Sequence, residues 1–117
     1  MPIFPKDICY LQTEIGAACI EFRLDEHRRR AFNASQLITY SLDPNPDAGD
    51  DKHAPPQKLS FAFSTADVTV LGWRLGSLAD CLRENRLAAI GIVPQRYSGL
   101  EHNSPCVSAI AITDVSK

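Results

Sequence analysis

The segment of this chain that is best suited to binding a small ligand is residues 72–76, GWRLG. They follow a predicted strand and precede a predicted helix, whose unpaired first-turn N–H groups favour an anion or a carbonyl oxygen. Trp73 offers an aromatic face and one donor, Arg74 adds a fixed positive charge, and the flanking glycines let a ligand approach the backbone. Arg96 and Tyr97, which follow a neighbouring predicted strand, would form the other wall. The competing interpretation is that Trp73 packs under the helix as part of the core.

A second candidate is the basic run of Arg28, Arg29 and Arg30. Consecutive arginines can bind phosphate groups or an acidic protein surface. Asp25 and Glu26 precede the run, and no aromatic residues alternate with it as in proteins that stack nucleic-acid bases. We interpret the run as a solvated connection between strands, with an acidic protein partner as the functional alternative.

Covalent catalysis would need a thiol or hydroxyl beside a base, and the closest approach in sequence is His102 and Cys106. Pro105 lies between them, and no acid that would orient the histidine can be identified. We therefore assign no catalytic residue. A small hydrolase-like or transferase-like enzyme, with its site near Trp73 and Arg74 or near His102 and Cys106, stays as the alternative.

Asp43, Asn45 and Asp47 alternate like the first ligands of a helix-loop-helix calcium site. Such a loop needs glycine at its sixth position and glutamate at its twelfth, where this chain has Ala48 and Ala54. We therefore predict a solvated loop, and neither a metal nor a cofactor.

Length and composition limit the class of protein. A chain of 117 residues with 44% hydrophobic and 22% charged residues is typical of one globular domain, taken as residues 1–117. The net charge of −2 argues against nucleic acid and anionic membranes as binding partners. No apolar run is long enough to span a bilayer, and the first residues lack the apolar stretch of a signal peptide. These features favour a cytoplasmic protein.

The four cysteines show no CxxC motif and no regular spacing. We interpret them as reduced, small apolar residues of a cytoplasmic protein, with a disulfide as the less favoured alternative. They are Cys9, Cys19, Cys81 and Cys106.

The residues between these candidates predict an α+β fold. Leu75, Leu78, Ala79 and Leu82 form one apolar stripe at helical spacing. This predicts a helix over about 74–85 that ends at Asn85, or one that starts at Ser77 if Ser77 and Asp80 form a capping box. Alternating apolar residues predict strands at about 18–24, 36–42, 88–93 and 106–113. They predict two further strands, one before and one after a turn at 65–67. We predict a long proline-rich hairpin loop over residues 43–57. The pattern of residues 6–24 is compatible with either a helix or a strand.

We expect these elements to form a mainly antiparallel, strongly curved sheet of five to six strands with one principal helix packed on it. The strands at 88–93 and 106–113 are apolar on both faces, and one short helix covers only part of such a sheet. A second subunit would supply the missing cover, which predicts a homodimer. The alternative is that the N-terminal segment folds back over the same face.

Residues 63–85, FSTADVTVLGWRLGSLADCLREN, resemble those of uncharacterised short bacterial proteins carried on mobile gene cassettes of the integron type. The resemblance extends over about residues 31–113. It implies a bacterial, cytoplasmic protein and carries over no catalytic residue. The sequence thus favours a small binding or interaction module, acting as a homodimer on a small anionic or aromatic ligand or on a protein.

Overall fold

The computed structural model describes residues 9–14, 16–25, 27–49, 54–92 and 105–115. Within these ranges the chain forms eight strands and one α-helix, together with a short 3-10 helix at Ala34–Gln36. In chain order the elements are β1 (Tyr10–Gln12), β2 (Cys19–Arg23), β3 (Arg29–Asn33), β4 (Leu37–Pro44), β5 (Gln57–Phe63), β6 (Ala66–Trp73), α1 (Gly76–Arg83), β7 (Leu87–Gly91) and β8 (Cys106–Asp114).

The strands form two four-stranded sheets. Sheet A has the order β1-β7-β2-β3 and sheet B the order β4-β5-β6-β8. All neighbours are antiparallel except β2 and β7, which run parallel. The α+β class and the mainly antiparallel pairing are confirmed, but the single sheet of five to six strands is wrong. The prediction missed β1, which is three residues long, and β3, in which Phe32 alone is buried.

Aromatic side chains from both sheets build the centre of the core. Leu59, Phe61 and Phe63 alternate along β5 and are buried, as their spacing predicted. The ring of Phe22 on β2 meets that of Phe61 edge-on at 5.2 Å, and Phe32 on β3 stacks on Phe63 at 4.5 Å. Because each fully buried side chain of this size contributes about 1.5–3 kcal/mol, these contacts hold sheet A against sheet B.

The hairpin of β5 and β6 turns at Ser64 and Thr65, rather than over the predicted 65–67. Ala66 already begins β6 and is fully buried. At the other end of β6, a side chain on Gly72 would place its Cβ 2.1 Å from the carbonyl oxygen of Cys106. The register between β6 and β8 shifts between Leu71 and Gly72. Glycine is required here because the backbone of β8 occupies the space of a side chain.

Helix α1 is shorter than predicted at both ends. Arg74 has a φ of 55° and cannot belong to the helix, while Asn85 has a φ of 57°, the left-handed conformation expected of a helix stop. The predicted capping box is wrong, because Leu75 occupies the N-cap position and makes no side-chain cap, which puts Ser77 inside the helix. The predicted apolar stripe is confirmed, with Leu78 and its neighbours on that face buried.

The last two strands have different surroundings. They do not pair with each other, since β7 lies between β1 and β2 while β8 is the outer strand of sheet B. Ala89 and Ile90 on β7 are buried. The expectation that both strands lack cover is therefore wrong for β7, because consecutive residues of a strand face opposite sides of the sheet and both of these are buried. It applies only to β8.

The hairpin loop between β4 and β5 is tied at its base by Asn45, a buried polar residue. The backbone N–H of Asn45 donates to the carbonyl of Pro56, and its side-chain amide donates to the carbonyl of Pro55 at 2.8 Å. Its side-chain oxygen accepts from the N–H of Asp47. Asn45 thus supports the loop, and the described residues contain no cluster of three potential metal ligands. No helix among them is long and apolar enough to cross a membrane.

Candidate functional site

Trp73 and Arg74 lie where β6 gives way to α1, as predicted. Trp73 is partly buried, packs against the core, and lies opposite Cys106 in the β6–β8 ladder. The left-handed backbone of Arg74 is rare for a residue with a side chain, and such conformations cluster at functional sites. The predicted second wall, Arg96 and Tyr97, lies outside the described residues.

The backbone around this pair is only partly open to a ligand. The N–H of Leu75 donates to the side-chain oxygen of Gln57 at 2.7 Å, so this donor at the start of the helix is already used. The space beside Gly72 is filled by β8, whereas a Cβ on Gly76 would meet no atom within 4 Å. The side-chain position of Gly72 is therefore closed by β8, and that of Gly76 is not closed.

The thiol of Cys106 does not fit the role of a nucleophile. Cys106 is buried, and this burial raises the pKa of its thiol above its ordinary value, although the nearby Arg74 guanidinium acts in the opposite direction. A neutral thiol is a poor nucleophile. The predicted base, His102, lies outside the described residues. The enzyme alternative near Cys106 gains no support from this geometry.

Each arginine of the basic run faces a carboxylate. Arg28 pairs with Asp25 at 2.7 Å between Nε and Oδ2, and Arg29 lies 3.9 Å from Glu21. Arg30 pairs with Asp114 and also lies over the ring of Phe32. The run is not a simple connection, since Arg29 and Arg30 belong to β3. With its charges matched within the chain, it is a weak candidate for an acidic partner.

The outer face of sheet B is a polar surface that the sequence prediction did not identify. A recess of about 280 Å³ opens there, lined by small and hydroxyl side chains around the carboxylate of Asp67. The signal was present in β5 and β6, where these residues alternate with buried apolar ones, but not in β4, which has no buried residue. The surface offers hydrogen bonds but no nucleophile paired with a base. Its members include Thr39, Ser41, Ser60, Ala62 and Thr69.

The second surface is the outer edge of β8. The strand is nine residues long, and within the described part of the chain only β6 pairs with it. From Val107 to Thr113 it contains no charged residue and no proline. Ile110 and Ile112 are partly buried against the core, while Ala111 is exposed.

The opposite edge of sheet B differs in character. Strand β4 ends in Asp43 and Pro44, and both are exposed. Charges and prolines on an edge strand discourage pairing with another chain. Ile38 on β4 is 71% exposed, so this edge is apolar at its start and protected at its end. The edge of β8 carries the weaker protection of the two.

Comparison with known proteins adds no assignment to this geometry. The candidate surfaces are therefore the corner at Trp73 and Arg74, the recess on sheet B, and the edge of β8. No protein-family model, curated protein or solved structure matches this chain.

Proposed function

We propose that this chain is a small interaction module that acts as a homodimer, and that the two copies join by pairing their β8 strands. The observation that carries the proposal is the outer edge of β8, which contains no charged residue and no proline from Val107 to Thr113. An edge strand presents a row of backbone N–H and C=O groups, and a long apolar edge without protecting residues is a template for pairing. A second copy of the same strand provides a partner of matching length and polarity.

The register follows from symmetry. Antiparallel pairing about a two-fold axis at Ile110 sets Ala109 of one copy opposite Ala111 of the other. These small side chains lie on the outer face of sheet B, where they allow close approach. The single charged residue of β8, Asp114, then lies at the far end of the pairing, which avoids apposed like charges at its centre.

Such pairing would join two four-stranded sheets into one continuous sheet of eight strands. It would also extend cover over Ile110 and Ile112, which are partly buried and belong to one of the two strands whose apolar faces prompted the homodimer prediction. The apolar contact adds to the backbone hydrogen bonds, because Ile110 lies at the two-fold axis and Ile112 lies two residues from it.

The test is a pair of matched charge variants. Changing Ala109 and Ala111 to Asp places two carboxylates on each copy directly opposite two on the other, and like charges opposed across strands are destabilising. Thr39→Asp with Ser41→Asp puts the same charge on the β4 edge. Sedimentation velocity should then show a single chain of 12.9 kDa for the β8 variant and twice that mass for the β4 variant and the parent. A parent that sediments as one chain at micromolar concentration overturns the proposal.

A small anionic or aromatic ligand at Trp73 and Arg74 is the second candidate function. The left-handed backbone of Arg74 favours it, because a ligand at this corner would meet an aromatic ring and a guanidinium on consecutive residues. Protein contact and ligand binding are compatible, since the corner and the β8 edge occupy different parts of the surface. A bacterial, cytoplasmic setting is part of the proposal, and the four free thiols are consistent with it.

A further inference from the structure

Cys9 and Cys106 come together in the core although they lie near opposite ends of the chain. The Cys9 thiol donates to the carbonyl oxygen of Pro105 at 3.4 Å. Burial raises the pKa of the Cys9 thiol, the nearby Cys106 raises it further, and the backbone N–H of Val107 acts in the opposite direction. Because Pro105 and Val107 flank Cys106, the Cys9 sulfur lies against the backbone of Cys106 itself. Both residues are buried, at 1% and 3% exposure.

The other two cysteines have different neighbours. Cys81, on α1, directs its thiol to the side-chain oxygen of Gln12 at 3.4 Å. Cys19 is exposed at the start of β2, which β7 separates from β1. Among the pairs that four cysteines allow, Cys9 and Cys106 are the one whose proximity the structure shows.

From this juxtaposition we propose that Cys9 and Cys106 form an intramolecular disulfide when the chain meets a disulfide oxidant such as oxidised glutathione. The bond would join the N-terminal strand region of sheet A to the first residue of β8 in sheet B. The inference is independent of the proposed dimer, since both sulfurs belong to one copy and lie in its core.

The chemistry balances as two thiol–disulfide exchanges. One cysteine thiolate attacks a sulfur of oxidised glutathione, forms a mixed disulfide and releases one glutathione thiolate. The second cysteine thiolate attacks the protein sulfur of that mixed disulfide and releases the other glutathione. The protein loses two protons and two electrons, and one glutathione disulfide becomes two thiols.

Burial makes the reaction slow in the folded protein. It raises the pKa of the Cys9 thiol to about 12, so little thiolate is present at neutral pH. The reactive species is reached through opening of the core or during folding, when both thiols are exposed to the oxidant. Equilibration by refolding is therefore the suitable experiment.

The full chain is unfolded, reduced, and refolded in a buffer of reduced and oxidised glutathione. Intact mass should fall by ~2 Da for the two hydrogens lost in one disulfide, and digestion without reductant should link the peptides of Cys9 and Cys106. The melting temperature should rise by on the order of 10 °C, because the bond closes a loop of roughly 100 residues. Cys19→Ser with Cys81→Ser should leave all three results unchanged, whereas Cys9→Ala and Cys106→Ala should each abolish them.

The inference fails if the refolded chain has a native circular dichroism spectrum and keeps four free thiols. It fails equally if the linked peptides contain Cys19 or Cys81, or if the bond joins two chains. Refolding the β8 charge variant as well separates the two proposals. A monomeric variant that still forms the bond supports the disulfide, whatever the oligomeric state of the parent.

Discussion

Arg30 and Asp114 form an ion pair, with 3.1 Å between Nη2 and Oδ1, that links the edge strand β3 of sheet A to the last residue of β8. Asp114 is the one charged residue of β8, and its charge is matched within the same chain. The stretch from Val107 to Thr113 carries no charge, and the ion pair compensates the one charge that follows it. This relationship connects the packing of the two sheets to the proposed dimer.

We predict that Asp114→Asn has a small effect on stability and none on association. Both side chains are well exposed, at 43% and 72%, and exposed ion pairs contribute about 0.2–1 kcal/mol. The measurement is the free energy of unfolding in urea, compared between the β8 charge variant with and without Asp114→Asn. Because the β8 charge variant is expected to be a single chain, association does not contribute to the difference. A loss above about 2 kcal/mol would mean that the pair does more than an exposed one can.

Two glycines at the ends of one short segment should respond in opposite ways to alanine. Gly72→Ala should lower the free energy of unfolding by about 2–3 kcal/mol, because its Cβ would lie 2.1 Å from a backbone oxygen of β8 and the strands must separate. Gly76→Ala should raise it by about 0.5 kcal/mol, since the space is open and alanine restricts the unfolded chain. Urea unfolding of both variants tests the β6–β8 contact. Equal effects at the two positions would contradict the described register shift.

Stability should fall above about pH 9, in part because of Cys9. Burial raises the pKa of its thiol from the ordinary 9.0 to about 12 in the folded chain. Below pH 9 both folded and unfolded chains hold the proton. As pH rises from about 9 toward about 12, the unfolded chain releases it first, so unfolding becomes more favourable.

The measurement is the urea midpoint as a function of alkaline pH. Cys9→Ala should show a shallower decline than the parent, while Cys19→Ala, which removes an exposed thiol, should decline as the parent does. Identical slopes for all three proteins would show that the Cys9 thiol titrates alike in the folded and unfolded states.

We predict that the corner at Trp73 and Arg74 binds a small aromatic anion. Benzoate, which combines an aromatic ring with a carboxylate, is the compound to test. Saturable quenching of tryptophan fluorescence is expected, because Trp73 is the single tryptophan. Arg74→Gln should weaken binding by about tenfold, the loss of one charge-assisted hydrogen bond. Inorganic phosphate tests the anion without the ring. If neither probe changes the fluorescence and Trp73→Ala destabilises the fold, Trp73 is a core residue.

Local patterns predicted the elements well where one face of a strand is buried. The alternation of Leu59, Phe61 and Phe63 predicted β5, and the stripe at Leu78 and Leu82 predicted α1. The sequence prediction missed strand β3, because a single buried residue, Phe32, leaves no alternation to detect. The division of the strands into two sheets was not predicted either, because β7 pairs in parallel with β2, which is distant in sequence.

The candidate surfaces were predictable to different degrees. Trp73 and Arg74 were identified from residue type and position, but the closure of Gly72 by β8 depends on a tertiary contact that spacing does not report. The apolar character of residues 106–113 predicted a shortage of cover, and in the structure Ala111 is exposed while Ile110 and Ile112 are only partly buried. That β7 is covered while β8 is not follows from strand order, which local sequence does not determine.

A contact between the β8 strands of two copies would show the proposed dimer directly. Two preparations, one isotope-labelled and one unlabelled, are mixed after unfolding and refolding, and a filtered nuclear Overhauser experiment detects contacts between copies. Pairing of the β8 strands predicts cross-copy contacts between the methyl groups of Ala109 and Ala111, because residues directly opposite in an antiparallel pair have Cβ atoms about 4.5–5.5 Å apart. A protein with twice the 12.9 kDa chain mass but contacts elsewhere, or one that remains at 12.9 kDa, would contradict it.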